Sequence, residues 1–444
     1  MSRLFIHRRR SGLGLRPVLA LFLLIPFLAA FGEPTPEPDL TRLQGYLSQA
    51  LAENPQLQAF AYRYEAAMRR IPQATALPDP MFQVTHFVES VQTRTGPQEN
   101  AFILSQKLPW FGKLDGRKQA TSAEAEALWY AYQSQHLTLA RRVSLAFYEY
   151  AYLEKAIHLT LENRNLLQDL EPIVEERVRG GSELNTLLRL KVEIARTSDQ
   201  LQSLEKDRET QSIQLRELLA LPGSSPLPWP SWEPPTTISL DEAALGLKIR
   251  ENNPELKMME RKIDSAEARQ EIARLESYPD ITHGLNYIQT GNPSVNPTTP
   301  DAGQDPWGFT VAVNIPVWFG KYNAAKAEAL ADKRSAESAY SQRLNELQAE
   351  LSASLSRLED ANRRLALYGD SLLGLAGQAA ENSRASYENG RTGILEVIDS
   401  ERSLLDLQLV YWRAAKDAWQ QRVILQTLTN ASLSPEGTYL QSHE

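Results

Sequence analysis

The chain has 444 residues, no Cys and a net charge of −8, from 47 basic and 55 acidic side chains. Lack of Cys excludes disulfides, thiol catalysis and thiolate metal sites. The acid excess argues against nucleic acid, which needs a basic face, and the length allows two or three domains.

Residues 1–32 read as a signal peptide. His7-Arg8-Arg9-Arg10 and Arg16 make a basic start, Val18–Phe31 is an apolar run interrupted by Pro26, and Ala30 and Gly32 are small residues at the spacing a signal peptidase reads. A membrane anchor is the alternative, but this run is shorter than the ~20 residues of a helical span. With no Cys after the run, a lipoprotein N-terminus is not expected. No later stretch is long and apolar enough for a transmembrane helix. The mature protein is therefore expected to be exported, and any membrane insertion falls to strands.

Two similar halves follow, residues 33–221 and 236–433. Asn54-Pro55-Gln56-Leu57 matches Asn253-Pro254-Glu255-Leu256, each opening a helix. Pro78-Asp79 matches Pro279-Asp280, each closing that helix and leading into a strand. Trp110-Phe111-Gly112-Lys113 recurs as Trp318-Phe319-Gly320-Lys321, each ending a strand pair and opening a very long helix. A duplication of this size dictates the fold. Lys113–Arg179 and Lys321–Asn389 would each span ~100 Å as helix, with a kink expected at Pro172. Gly180-Gly181 and Gly390 then turn the chain into a last helix, about 182–221 and 393–431. Leu187, Leu190, Ile194, Thr197, Leu201, Leu204, Arg208, Gln211, Leu215 and Leu218 step by three and four, mostly apolar, as a heptad-like seam on the first of these. Between the halves, residues 222–235 hold six Pro and two Trp and read as a stiff extended linker. Residues 434–444 are a tail.

The strands are predicted at 81–91, 101–109, 281–289 and 307–316. In the last, Trp307, Phe309, Val311, Val313 and Ile315 alternate with Gly308, Thr310, Ala312 and Asn314. Large apolar against small or polar at period two is the pattern of a membrane barrel strand. Ile281, His283, Leu285 and Tyr287 repeat it, as do Phe82, Val84, Val88, Phe102 and Leu104 less cleanly. Trp110, Phe111, Trp307, Trp318 and Phe319 then suit a membrane-interface aromatic girdle. A soluble sheet with one buried face is the competing reading, but it leaves the export signal and the girdle without a role. Four strands cannot close, and lipid tolerates no open sheet edge. Two copies pool about eight strands with a filled interior; three pool about twelve with room for a lumen.

At this point the chain resembles the TolC-type outer-membrane efflux proteins, over nearly all of residues 40–433. The resemblance rests on the duplicated order, on 106–113 and 315–321, and on the run Tyr387-Glu388-Asn389-Gly390-Arg391-Thr392-Gly393-Ile394-Leu395-Glu396-Val397-Ile398-Asp399. It implies a mainly α fold with membrane β: a homotrimer with a twelve-stranded β-barrel continued by a periplasmic α-helical barrel. The implied partners are a periplasmic adaptor, an inner-membrane pump of the RND type and outer-membrane lipid. The motif flavour looks most like the heavy-metal branch (CusC/CzcC type). The resemblance places two acids at the narrowed periplasmic aperture, and they map to Glu396 and Asp399, three apart on one helix face. It places the tip turn and adaptor docking at Gly180, Gly181, Leu184, Leu187, Tyr387, Gly390, Arg391, Ile394 and Val397. In the first half Thr186 stands where Glu396 does, and Arg391 lies one place earlier than the family's basic residue. For the glycines a helix-to-helix turn is a sufficient structural reason.

No enzyme is expected, because phosphate loops, Gly-x-Ser-x-Gly and His-Glu-x-x-His are absent. No cofactor is expected either. The six His lack ligand spacing, and Met258-Met259 reads as packing. A periplasmic adaptor is the alternative function, since adaptors also carry long helical hairpins. A coiled-coil scaffold leaves the strands unexplained.

Overall fold

The computed structural model describes residues 39–293 and 300–432. The signal segment, part of the long loop after residue 290 and the C-terminal tail lie outside them. In chain order the elements are α1 (Leu43–Glu53), α2 (Pro55–Thr75), β1 (Met81–Gln92), β2 (Pro97–Leu108), α3 (Lys113–Arg179) and α4 (Leu184–Leu218). The second half gives α5 (Glu242–Asn252), α6 (Pro254–Leu275), β3 (Ile281–Thr290), β4 (Trp307–Val313), α7 (Phe319–Leu367), a π turn (Tyr368–Leu372), α8 (Leu373–Glu388) and α9 (Ile394–Thr429).

The duplication extends to individual hydrogen bonds. The Asn54 side chain accepts from Gln56 N at 3.0 Å and Leu57 N at 3.3 Å, and Pro55 occupies the first helical position of α2. Such a cap satisfies orphan amides that Pro does not add to. Its Nδ2 donates to Leu218 O at 3.3 Å. Asn253 does the same for Glu255 N, Leu256 N and Leu428 O, at 2.9, 3.3 and 2.9 Å. Each Asn thus breaks a helix into two and ties the corner to the end of its own half's last helix.

The four strands form one antiparallel sheet in the order β1-β2-β3-β4. Its register aligns the alternation across the sheet. Phe82, Leu104, Leu285 and Phe309 form one cross-strand row, and Val84, Phe102, Tyr287 and Trp307 the next. Gly284, Asn286, Gly308 and Thr310 fall on the other face. Apart from the half-buried Phe102, the large apolar side chains of these rows are open, from Tyr287 at 42% exposed to Trp307 at 75%, so no described element covers that face. β4 ends at Val313, short of the expected 316. Asn314 still donates its amide to Asp280 O, but its side-chain Oδ1 rather than its carbonyl accepts from Asp280 N, and Pro316 has no amide to donate.

α3 stays helical through Pro172. The second long helix is unbroken but not α throughout: the π turn Tyr368–Leu372 joins α7 to α8. Gly390 follows Lys321 by one residue more than Gly181 follows Lys113, and a π turn absorbs one extra residue without ending a helix. Gly369 lies within it, where an added Cβ would sit 3.0 Å from the Tyr411 ring. The linker is extended, as its prolines require, but it is a strap rather than a spacer. Trp229 stacks on Tyr150, Trp232 Nε1 donates to Ala151 O at 3.1 Å, and Trp419 Nε1 donates to Glu233 O at 2.8 Å. The seam of α4 is buried at Leu190, Thr197, Leu201, Leu215 and Leu218.

Candidate functional site

Each half turns back at a matched Schellman motif. Gly181, at φ 106°, donates to Val178 O, and Ser182 N donates to Arg177 O. Gly390, at φ 69°, donates to Tyr387 O, and Arg391 N donates to Ser386 O. Only a residue free to adopt positive φ closes this turn without strain. Gly180 stands at an ordinary φ of −75°, so the left-handed position is Gly181 alone. The two turns lie together. Arg177, in the last turn of α3, donates to Tyr387 O at 3.0 Å and Glu388 O at 3.5 Å, and its guanidinium covers the Tyr387 ring at 4.1 Å. A cation on the closing carbonyls of α8 also suits that helix's dipole.

A small core sits behind the turns: Leu167, Val174, Leu190, Tyr387, Ile394, Val397 and Ile398. Burying each large aliphatic here stabilises by ~1.5–3 kcal/mol. This corrects the docking expectation for three residues. Ile394 and Val397 are 1% and 0% exposed and Tyr387 is 4% exposed, so they hold the tip together rather than meet a partner. Burial also lifts the Tyr387 phenol above its ordinary value, against the pull of Arg177. Leu187 packs half-buried on the same core. The apolar surface is instead Leu184, Leu188 and Val192, at 60%, 52% and 67% exposed. Their i, i+4, i+8 spacing was available in the sequence, masked by the stronger seam beside it. Arg391 is exposed.

Glu396 and Asp399 are both exposed on α9, opposite the buried Ile394, Val397 and Ile398. Ser403 and Asp406 continue the same face at helical spacing and are exposed too. Asp406 therefore extends the acid stripe; the three-and-four rhythm from Asp399 would have found it. Its opposite number on α4 runs Thr186, Arg189, Glu193, Arg196, with both Arg exposed. Behind the stripe, Arg402 pairs with the buried Glu193 of α4, and Arg384 of α8 lies 2.9 Å from Glu401. Burial holds the Glu401 carboxyl above its ordinary value, with Arg384 opposing.

At the other end of the long helices, Trp110 stacks on Tyr278 at 5.5 Å, while Phe111, Trp318 and Phe319 are 81%, 74% and 73% exposed. Trp307 begins β4, at the opposite end of the sheet. Lys113, 1% exposed, reaches Asp280 Oδ1 at 2.7 Å and Tyr278 O at 3.1 Å. Asp280 also receives Lys107 at 3.0 Å and the Trp110 amide at 3.0 Å. Burial alone would raise the Asp280 carboxyl; Lys113, the Trp110 amide and Lys107 outweigh it and hold it down at about 2.

Among the described residues no helix is long and apolar enough to cross a membrane, and no cluster of His, Asp and Glu assembles as a metal site. The apolar face of the sheet, its aromatic ends and the long helices define a membrane β-sheet protein with an extended helical part. Comparison with known proteins agrees. The sequence model of the family described as "Outer membrane efflux protein" matches residues 46–221 and 245–431. The probable outer membrane lipoprotein SilC of Salmonella typhimurium is 23% identical over 390 residues, covering 84% of this chain and 81% of SilC. The cation efflux system protein CusC of Escherichia coli O157:H7 is 22% identical over 340 residues, covering 71% of each. The structure of the outer-membrane channel OprN superposes with a TM-score of 0.75 at 17% identity, covering 87% of this chain and 89% of OprN. The chain belongs to the outer membrane efflux protein family. The resemblance to TolC-type channels is borne out, and the adaptor alternative is set aside.

Proposed function

We propose that three copies merge their sheets into one closed barrel, and that this barrel with its helical continuation is the passive exit duct of a tripartite efflux assembly. The two unpaired sheet edges carry this reading. A single four-stranded sheet leaves β1 and β4 unsatisfied in lipid, and closure with like sheets removes both edges. The helices then extend into the periplasm of a Gram-negative cell. An adaptor seats on the tip at Gly180, Gly181, Leu184, Leu187, Gly390 and Arg391, with Leu188 and Val192 adding apolar area, and an RND-type pump in the inner membrane supplies cargo. Such a duct performs no catalysis. Metal cations are the favoured cargo class, because CusC is a cation efflux protein by name and the tip is acidic on α9. SilC is a lipoprotein by name, whereas this chain has no Cys to carry a thioether-linked lipid.

Glu396, Asp399 and Asp406 line the aperture in this reading, one stripe from each copy. Converging carboxylates hold cations and turn anions away. Planar-bilayer recording of the purified oligomer tests it. The wild type should pass cations in preference to anions and be blocked by divalent cations. Glu396→Gln with Asp399→Asn and Asp406→Asn should lower the cation preference several-fold and relieve the block. Unaltered selectivity and block would remove the stripe from the aperture, and an oligomer without conductance would remove the duct.

A further inference from the structure

The contacts that hold β2 against β3 at the helix end of the sheet are drawn from both halves. Lys113 belongs to the first half and Asp280 to the second, and they meet buried at 2.7 Å. The duplicated sequence contains the reciprocal pair. Pro78-Asp79 leads into β1 as Pro279-Asp280 leads into β3, and Lys321 closes the second copy of the motif that Lys113 closes in the first. Asp79 and Lys321 are both exposed, and neither makes an ion pair among the described residues. They stand beside β1 and β4, the two edges of the sheet.

We propose that Asp79 of one copy and Lys321 of the partner subunit form the same ion pair across each seam between copies. The inference rests on the merged-barrel reading. Closure lays β4 of one copy beside β1 of the next in the antiparallel sense that joins β2 to β3. The helices give the same answer. α2, α3, α6 and α7 pack side by side in that order within the chain. The outer faces of the row are open: only Leu57 and Ala67 of α2 are buried, and only Ala329 in the first half of α7. The aromatic contact also has its counterpart. Trp110 stacks on Tyr278 inside the chain, and the matching positions are Trp318 and Leu77, at 74% and 50% exposed. Counting back from the shared motif, Ile315 stands where Lys107 does, so the seam pair has one cation where the internal pair has two.

The function of such a pair is registry. A one-residue slip between β4 and β1 would turn every lipid-facing side chain of one strand inward. A charge pair at the strand–helix corner admits one register, because any other leaves a carboxylate and an ammonium without partners.

The absence of Cys makes the test direct. Asp79→Cys with Lys321→Cys, treated in membranes with a short bis-maleimide, should give two-chain and three-chain bands on denaturing gels. Lys113→Cys with Asp280→Cys should link within one chain and add no mass. Charge reversal gives a second readout. Asp79→Lys and Lys321→Asp should each lower the temperature at which the oligomer dissociates in SDS, and the two together should recover at least half of the loss. An oligomer of native mass that yields only the single-chain band, or a double reversal as labile as either single, overturns the pair and leaves the merged barrel standing. A wild-type chain that is monomeric in detergent overturns the barrel and the pair with it.

Discussion

Asp280 is a single side chain on which burial and charge oppose each other, and charge wins. It is 8% exposed, yet its carboxyl titrates near 2 because Lys113, the Trp110 amide and Lys107 all stabilise the anion. The ordinary value, 3.8, applies once the chain unfolds. A depressed carboxyl stabilises the fold above its unfolded value and loses that contribution as pH falls through the folded one. About 2 kcal/mol of stability should therefore be present at neutral pH and disappear between about pH 4 and pH 2. Asp280→Asn should do more harm than that, up to ~3–5 kcal/mol, because it takes the nearest anion from a buried ammonium and leaves it the Tyr278 carbonyl and Glu276 at 3.5 Å. Adding Lys113→Met to it should return part of the loss. Thermal unfolding in detergent measures both effects. The deficit of Asp280→Asn should narrow between pH 7 and pH 3, and a deficit independent of pH would deny the pair its role. The sequence held both residues in plain view within repeated motifs. What it lacked was their pairing, since Lys113 and Asp280 come from different halves and only the β2–β3 register joins them.

Elements were legible where a period was sustained. The apolar alternation of β3 and β4 and the uninterrupted helical composition before Gly181 and Gly390 gave strands and helices close to their true bounds. The π turn was not legible from composition; it coincides with a one-residue mismatch between halves and with the close approach of Tyr411 to Gly369. Counting between the shared motifs would have exposed the mismatch. The tip residues divided for a similar reason: the heptad rhythm that marked Ile394 and Val397 marks burial, and burial takes them out of any docking surface. If the π turn exists to absorb the extra residue, then removing one residue there should be tolerated. Deleting Asp370 should convert the turn to α-helix, keep the register of α7 and α8 and leave a heat-modifiable oligomer. Deleting Ser356 instead, within α7 and away from the turn, should shift the buried Leu358, Ala361 and Leu365 by about 100° around the helix and abolish the oligomer. Gel mobility with and without heating separates these outcomes. Equal loss from both deletions would leave the turn without that purpose.

At the scale of the whole molecule, the four strands make sense only when their two faces meet different media. The sequence established this through alternation, and the register established it again by lining up Phe82, Leu104, Leu285 and Phe309 across the sheet. Neighbouring positions on β4 offer a test that leaves backbone and depth almost constant. Phe309 is 66% exposed on the apolar face. Gly308 lies on the opposite face, has an ordinary φ, and would meet nothing within 4 Å of an added Cβ. A cation facing lipid costs about 2–4 kcal/mol near the midplane, whereas a lumen-facing one is solvated. Each copy in the barrel bears that cost, so Phe309→Arg should fall below the threshold for assembly while Gly308→Arg should not. Outer-membrane fractions should hold heat-modifiable oligomer for Gly308→Arg at near the wild-type level and little for Phe309→Arg. Equal tolerance of the two would mean that the apolar face meets water or protein rather than lipid. The reverse order, with Gly308→Arg excluded and Phe309→Arg accepted, would turn the sheet inside out.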